Sequence, residues 1–266
     1  MTGMQLHVHE WGDAGAPRVI CVHGVSAHGR RYRRLVEERL AAHFHVLAPD
    51  LRGHGRSGWE PPWNLETHLE DLLETFGEEP ALWVGHSFGG RVVLELAARR
   101  PELLRCAVLL DPAIDILPHV GLDFAQDAAT ELVFASPEEA VEARLANGPR
   151  TPREAIEEEA REHLEPNPGG GFRWRYARAA ITTMYSELCR TPPPPTALAG
   201  IPTLLLYAQH FGLVREEQLD EYPAVLGDDL ELVGVDGGHI VYWDAFDETA
   251  DAVEKFLLRH SSVSHA

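Results

Sequence analysis

Val84-Gly85-His86-Ser87-Phe88-Gly89-Gly90 is the stretch of this sequence that decides the fold. An apolar run precedes it and an amphipathic segment follows it. The stretch matches the pattern G-x-S-x-G, which is typical of a sharp turn between a strand and a helix. A nucleophile on such a turn has a strained backbone, so small residues are needed two positions away on either side, and Gly85 and Gly89 supply them. The positive end of the helix dipole would stabilise an oxyanion there. We therefore predict that Ser87 is a positioned nucleophile.

Short apolar runs alternate with longer helix-like segments along most of the chain. The middle runs are nearly all apolar, as expected for parallel strands that are buried on both faces. This alternation predicts an α/β fold with a doubly wound, mostly parallel sheet and right-handed crossovers. Asp244 is a candidate N-cap of the last helix. The predicted strands are Leu6–Glu10, Arg18–Val22, His45–Ala48, Ala81–Val84, Ala107–Leu110, Thr203–Tyr207 and Leu230–Val235, and the predicted helices are roughly Arg31–Ala42, Leu65–Phe76, Gly89–Arg99, Glu216–Leu226 and Asp244–Arg259.

One region, from about Ala113 to Thr196, breaks this rhythm, because it has no clear strand and becomes helical and acidic. Ser136-Pro137-Glu138-Glu139 and Thr151-Pro152-Arg153-Glu154 both have the composition of a helix start. We therefore predict an α/β core over residues 1–112 and 197–266, with a helical cap insertion over residues 113–196. The large apolar side chains of the insertion would line an acyl pocket or form the core of the cap itself. They are Phe124, Phe134, Phe172, Trp174, Tyr176, Met184 and Tyr185.

Composition limits the possible partners and compartments. The chain has 266 residues and a formal net charge of −19, which argues against nucleic acid or an anionic membrane surface as a partner. Cys21, Cys106 and Cys189 have no metal-ligand spacing, and the usual interpretation of such cysteines is free thiols in a reducing compartment. No stretch approaches the ~20 apolar residues of a membrane helix, and the first residues include no apolar leader segment. A cytoplasmic protein without membrane insertion is expected, and the sequence indicates no oligomeric state.

Three further motifs accompany the G-x-S-x-G turn: Val22-His23-Gly24-Val25 after a strand, the loop from Asp50 to Ser57, and Gly237-Gly238-His239 near the end of the chain. Together they resemble the α/β-hydrolase superfamily, specifically its serine-nucleophile, esterase- or lipase-like members with a helical cap. The resemblance covers the chain from about Leu6 to Leu258. It implies the α/β-hydrolase fold, a small-molecule substrate, and neither a metal nor an organic cofactor.

The resemblance also assigns roles to particular residues. The backbone N–H groups of Val25 and Phe88 would form the oxyanion hole, in which each donor contributes roughly 3–4 kcal/mol to the transition state. His239 is the expected general base, because it follows the last strand in a glycine-rich loop and the chain order is serine, acid, histidine. Asp50 is expected to be structural.

The acid departs from the commoner pattern of the superfamily. Where an aspartate usually follows the strand after the insertion, this chain has Phe211, and a phenyl ring can neither orient an imidazole nor stabilise an imidazolium. Some members take the acid from the end of the preceding strand, where this chain has Asp111. We predict Asp111 as the triad acid, with Asp115 as the second choice. Loss of the acid would typically reduce kcat by roughly 10⁴, so a catalytically weakened member stays an alternative.

The leading hypothesis for the function is a carboxylesterase-like serine hydrolase. It would cleave a carboxylic ester or lactone of a small, largely apolar substrate through an acyl-enzyme. Serine in place of aspartate at the turn argues against a dehalogenase or an epoxide hydrolase. Hydrolysis of a C–C bond or an amide is the alternative reaction. A ligand-binding protein on the same fold is the alternative outside the enzymes, and Phe211 is the feature that favours it.

Overall fold

The computed structural model of the protein describes residues 3–130, 132–148 and 150–261. Seven strands form one sheet, and they are β1 Val8–Trp11, β2 Arg18–Val22, β3 His45–Pro49, β4 Ala81–His86, β5 Leu104–Leu110, β8 Thr203–Ala208 and β9 Leu230–Val235. A separate hairpin pairs β6 Leu164–Pro166 with β7 Phe172–Trp174. The strand order in the sheet is β1-β3-β2-β4-β5-β8-β9, and only the β1–β3 pair is antiparallel. The predicted doubly wound, mostly parallel sheet is therefore confirmed.

Helices cover both faces of the sheet and occupy most of the segment between β5 and β8. A single helix was predicted over Arg31–Ala42, but the structure has three short pieces there: a 3-10 turn, one turn of α-helix and a π turn closed by the Ala41 N–H on the Val36 carbonyl, 2.8 Å away. The helices are α1 Arg33–Leu35, α2 Leu65–Phe76, α3 Phe88–Arg99, α4 Pro118–Ala129, α5 Pro137–Asn147, α6 Arg153–His163, α7 Arg178–Leu188, α8 Glu216–Leu226, α9 Val241–Asp244 and α10 Phe246–His260.

The edge strand β1 begins two residues later than predicted. The N–H groups of Leu6 and His7 donate to the side-chain hydroxyls of Thr75 and Ser57, at 3.0 and 2.9 Å. Because these donors are bound outside the sheet, ladder pairing with β3 begins only at Val8. Apolar alternation does not reveal such side-chain partners.

The prediction that Asp244 caps the last long helix was wrong. Asp244 ends the short helix α9, and its carboxylate accepts the Ile240 N–H at 3.1 Å and the Thr151 hydroxyl at 2.7 Å. The long helix α10 begins two residues later, at Phe246. Asp244 therefore joins the loop before α9 to the segment that precedes α6.

The segment between β5 and β8 carries helices α4 to α7, but the expectation that it has no strand was wrong. In the β6–β7 hairpin, Leu164 lies opposite Trp174 and Pro166 opposite Phe172. Strands of three residues are too short for a period-two pattern to be read from sequence. The division into a core and a cap at residues 112 and 197 stays a prediction.

Side chains of this segment complete both apolar cores of the molecule. On one face of the sheet, Phe134 and Trp174 pack with the core that contains Tyr242. On the other face, Met184 lies in the core that contains Phe88. These large apolar residues of the insertion therefore serve packing.

Several histidines are buried in the folded protein, and burial is the largest cause that lowers their pKa values. The pKa is lowered to about 4 for His28 and His54 and to about 3 for His68. The same cause lowers the pKa well below its usual value in three more. In the part of the chain that the structure describes, the buried histidines are His23, His28, His54, His68, His86 and His163.

We expect the free energy of unfolding to fall as the pH is lowered from about 7.5 to 5. The unfolded chain binds protons at its histidines below about pH 6.5, whereas the folded chain keeps the buried ones neutral. Each histidine with a folded pKa of about 4 then lowers the free energy of unfolding by roughly 2 kcal/mol between pH 7.5 and 5. Urea unfolding followed by circular dichroism at constant ionic strength measures this.

His68 provides the matched test, because neither of its ring nitrogens has a hydrogen-bond partner in the described part of the chain. His68→Leu should flatten the pH dependence by about one proton. His43→Asn is the control, since that ring is open to solvent. A stability that does not change between pH 7.5 and 5 would contradict the prediction.

Candidate active site

Ser87 occupies a strained turn between β4 and α3. Its φ is 55° and its ψ is −116°, a backbone conformation that costs a non-glycine residue of order 1–3 kcal/mol and persists only where the surroundings enforce it. The Ser87 N–H donates to the Leu110 carbonyl at 3.1 Å, and the Ser87 carbonyl accepts the Ala113 N–H at 3.1 Å. Strand β5 and the loop after it therefore hold the turn in place.

The turn after β2 approaches the same serine closely. A Cβ atom on Gly24 would lie 2.9 Å from the Ser87 Cβ and 3.3 Å from its Oγ. A Cβ atom on Gly89 would collide with the Val22 carbonyl oxygen. The two turns can therefore come into contact only because each has a glycine, without a side chain, at this place.

His239 and Asp111 meet at the carboxyl ends of the strands. The His239 Nδ1 lies 2.6 Å from one carboxylate oxygen of Asp111, and the other oxygen accepts the Ala208 N–H at 3.1 Å. Asp111 is fully buried, with a φ of 38°. With the Nδ1 proton donated to the carboxylate, the Nε2 atom is the nitrogen that is free to accept a proton.

Asp115, the second candidate, has another partner. Its carboxylate lies 2.7 Å from the guanidinium of Arg215. The structure therefore brings Asp111 to His239 and pairs Asp115 elsewhere.

Sequence reasoning missed two rings beside His239. The ring of Phe211 stacks on the imidazole of His239, with ring centroids 4.9 Å apart and an interplanar angle of 12°. His86 donates from Nε2 to the His239 carbonyl at 2.9 Å. Burial lowers the pKa of His86 well below its usual value, so it acts there as a neutral donor. Its position directly before Ser87, at the end of β4, was the available signal.

The N–H groups of Val25 and Phe88, which the sequence predicts as oxyanion donors, are not used within the described part of the fold. Neither donates to an acceptor within residues 3–130, 132–148 and 150–261, and Phe88 begins α3, where the helix dipole is positive.

His23 supports the turn before Val25. Its Nε2 accepts the Leu51 N–H at 2.9 Å, so its Nδ1 carries the proton and donates to the Gly24 carbonyl at 2.7 Å.

A separate cluster lies at the edge of the sheet, where His7, His9 and Asp50 offer ligand atoms within 4.8 Å of one another. In the part of the chain that the structure describes, this is the group that could hold a metal ion. The Asp50 carboxylate already accepts the Gly29 N–H at 2.8 Å and the Arg56 N–H at 2.9 Å. Its contacts therefore tie two loops together, as a structural residue would.

Comparison with known proteins identifies the class. A family model for the alpha/beta hydrolase fold matches residues 17–166. The chain is 35% identical over 251 residues to Lipase LipV of Mycobacterium tuberculosis, and the alignment covers 90% of this chain and 92% of that lipase. It is 30% identical over 263 residues to 2-(acetamidomethylene)succinate hydrolase of Mesorhizobium japonicum, and the alignment covers 95% of this chain and 91% of that hydrolase. The chain belongs to the α/β-hydrolase family and is a hydrolase of that superfamily.

Solved structures show the same fold. The crystal structure of E-2-(acetamidomethylene)succinate hydrolase superposes with a TM-score of 0.79 at 24% identity, covering 95% of this chain and 94% of that one. An α/β hydrolase from Novosphingobium aromaticivorans gives a TM-score of 0.81 at 22% identity, covering 97% of this chain and 96% of that one.

Among the helices that the structure describes, none combines the length and the apolar character that a membrane span requires.

Asp111→Asn should reduce turnover by roughly 10⁴, because an asparagine amide neither holds the imidazole in the required tautomer nor stabilises an imidazolium. The labelling rate of Ser87 by a fluorophosphonate and the turnover of p-nitrophenyl esters measure the loss. Asp115→Asn is the matched control and should stay within about two-fold of the parent, since Asp115 pairs with Arg215. A large loss in Asp115→Asn with little change in Asp111→Asn would reverse the assignment.

Proposed function

We propose that this hydrolase cleaves a carboxylic ester or lactone of a small, largely apolar molecule through a serine-linked acyl-enzyme. The observation that carries the proposal is the 2.6 Å contact between His239 Nδ1 and the buried carboxylate of Asp111. This contact gives His239 a carboxylate that can orient the imidazole, although Phe211 stands where the usual aspartate would be. The strained turn at Ser87 supports the proposal independently.

The proposed reaction has two steps. In the first, Ser87 Oγ attacks the carbonyl carbon while His239 Nε2 takes the hydroxyl proton, and the same nitrogen returns the proton to the leaving alkoxide. In the second, His239 takes a proton from water, whose oxygen attacks the acyl carbon, and Ser87 leaves with that proton. The N–H groups of Val25 and Phe88 would bind the oxyanion in both steps, and Asp111 would hold the imidazole.

The relatives favour this substrate class and one rival. The lipase at 35% identity favours ester hydrolysis. The relative at 30% identity is named for a substrate with an acetamido group, so amide hydrolysis is the second candidate. Cleavage of a C–C bond has no such observation in its favour. The alternative of a binding protein loses its main argument, because it depended on a histidine without an acid.

A fluorophosphonate probe tests the nucleophile directly. One equivalent should label Ser87, labelling should vanish in Ser87→Ala, and it should slow by orders of magnitude in His239→Ala, which lacks the base. Intact-mass spectrometry measures the adduct. An unlabelled parent protein with normal folding would contradict the proposed nucleophile and favour a ligand-binding protein.

A substrate panel separates the candidate reactions. We expect turnover of p-nitrophenyl esters of short acyl chains, slower turnover of matched p-nitroanilides, and no cleavage of a vinylogous diketone. Activity on the anilides alone, with labelling of Ser87 intact, would favour the amide alternative. Cleavage of the diketone alone would favour C–C hydrolysis.

A further inference from the structure

The residue after Val25 has a backbone conformation that its surroundings must enforce. Ser26 has a φ of 52°, which is uncommon for a residue other than glycine and is sustained only by surrounding contacts. Its carbonyl oxygen accepts two guanidinium groups, at 3.2 Å from Arg144 Nη2 and 3.4 Å from Arg31 Nη2. The strained residue and the proposed oxyanion donor Val25 are adjacent in the chain, so what fixes one restrains the other.

The two guanidinium groups come from different parts of the fold. Arg31 lies in the 3-10 turn that follows the loop after β2, whereas Arg144 lies on α5, between β5 and β8. Both face the carboxylate of Glu159 on α6. Arg31 Nε donates to it at 2.8 Å, and Arg144 Nη2 lies 3.6 Å away. The side chains of Arg31 and Glu159 are buried, so this ion pair is shielded from water, whereas the side chain of Arg144 is partly exposed.

Arg144 is itself held in place. Its guanidinium lies 4.4 Å from the centre of the Trp174 ring, a stacking distance. On the other side of the same loop, His23 holds the Gly24 carbonyl. Residues 23–26 are therefore restrained at one end by the ring of buried His23, which bridges Gly24 and Leu51, and at the other by an arginine from the inserted segment.

We propose that Arg144 is a positioning residue, which holds the Ser26 carbonyl so that the Val25 N–H faces the oxyanion. The inference rests on the proposed function, because it assigns a task to the oxyanion hole of that reaction. Arg144 acts through Ser26 and does not touch the substrate. The oxyanion hole is then complete only while α5 and α6 are docked against the segment after β2.

Arg144→Met tests the proposal, since methionine keeps an apolar stem against Trp174 but has no donor for the Ser26 carbonyl. We expect kcat to fall by about 10- to 100-fold, somewhat less than for complete loss of an oxyanion donor, with KM changed by less than about two-fold. Affinity for a trifluoromethyl ketone, which forms the tetrahedral adduct, should fall by the same factor as kcat/KM. Arg144→Lys restores a donor and should recover most of kcat.

Arg153→Met is the matched control, because Arg153 also lies in the inserted segment but pairs with Glu142 on the surface. Its kinetics and ketone affinity should equal those of the parent. Hydrogen–deuterium exchange of the segment 23–28 gives a measurement that needs no catalysis: exchange should be faster in Arg144→Met than in Arg153→Met. Circular dichroism checks that both variants are folded.

The possible outcomes are distinct. Unchanged exchange in Arg144→Met would overturn the inference even if the parent enzyme were inactive. A raised KM with unchanged kcat would also overturn it and would assign Arg144 to substrate binding instead. Failure of the parent to label at Ser87 would overturn the proposed function, and the exchange measurement would still decide whether Arg144 fixes the loop.

Discussion

The candidate site depends on one constraint, which is the strained backbone of Ser87 at the end of the central strand β4. A single turn cannot sustain that conformation alone, so neighbouring elements must contribute. Strand β5 accepts the Ser87 N–H, and the loop after β5 donates to the Ser87 carbonyl. The turn after β2 packs against the serine through Gly24. Parallel strands on both sides of β4 are thus a condition for the strained turn at Ser87.

The parallel sheet also explains how the acid can come from either of two strands. Because the carboxyl ends of β5 and β8 meet at the same edge, a carboxylate after either one can reach the loop after β9. In this chain Asp111 follows β5, while the segment after β8 contributes the Ala208 N–H to that carboxylate and the Phe211 ring to the imidazole. The phenylalanine therefore supports the histidine by stacking where other members have the acid.

Local patterns were enough to predict the sheet, the turn at Ser87 and the loop of His239, because glycine spacing and apolar runs report on backbone geometry nearby. The contact between Asp111 and His239 could be predicted once the strand order was assumed, since that order makes β5 and β8 neighbours. The hairpin β6–β7 could not, because its strands are too short for a period-two pattern. The contacts of Asp244 could not either, because its partner Thr151 is distant in sequence. The tasks of Phe211 and Arg144 depend on such long-range contacts as well.

The buried ion pair of Arg31 and Glu159 joins the 3-10 turn after β2 to helix α6 of the inserted segment. Removing Arg31 and Glu159 from water costs several kcal/mol per ion, and well-packed apolar residues in such places are often at least as stabilising. Apolar side chains, however, cannot donate to the Ser26 carbonyl. A guanidinium can, and it then requires a carboxylate close by to compensate its own burial. The polar contact at Ser26 thus accounts for a charged group that the stability of the fold alone does not require.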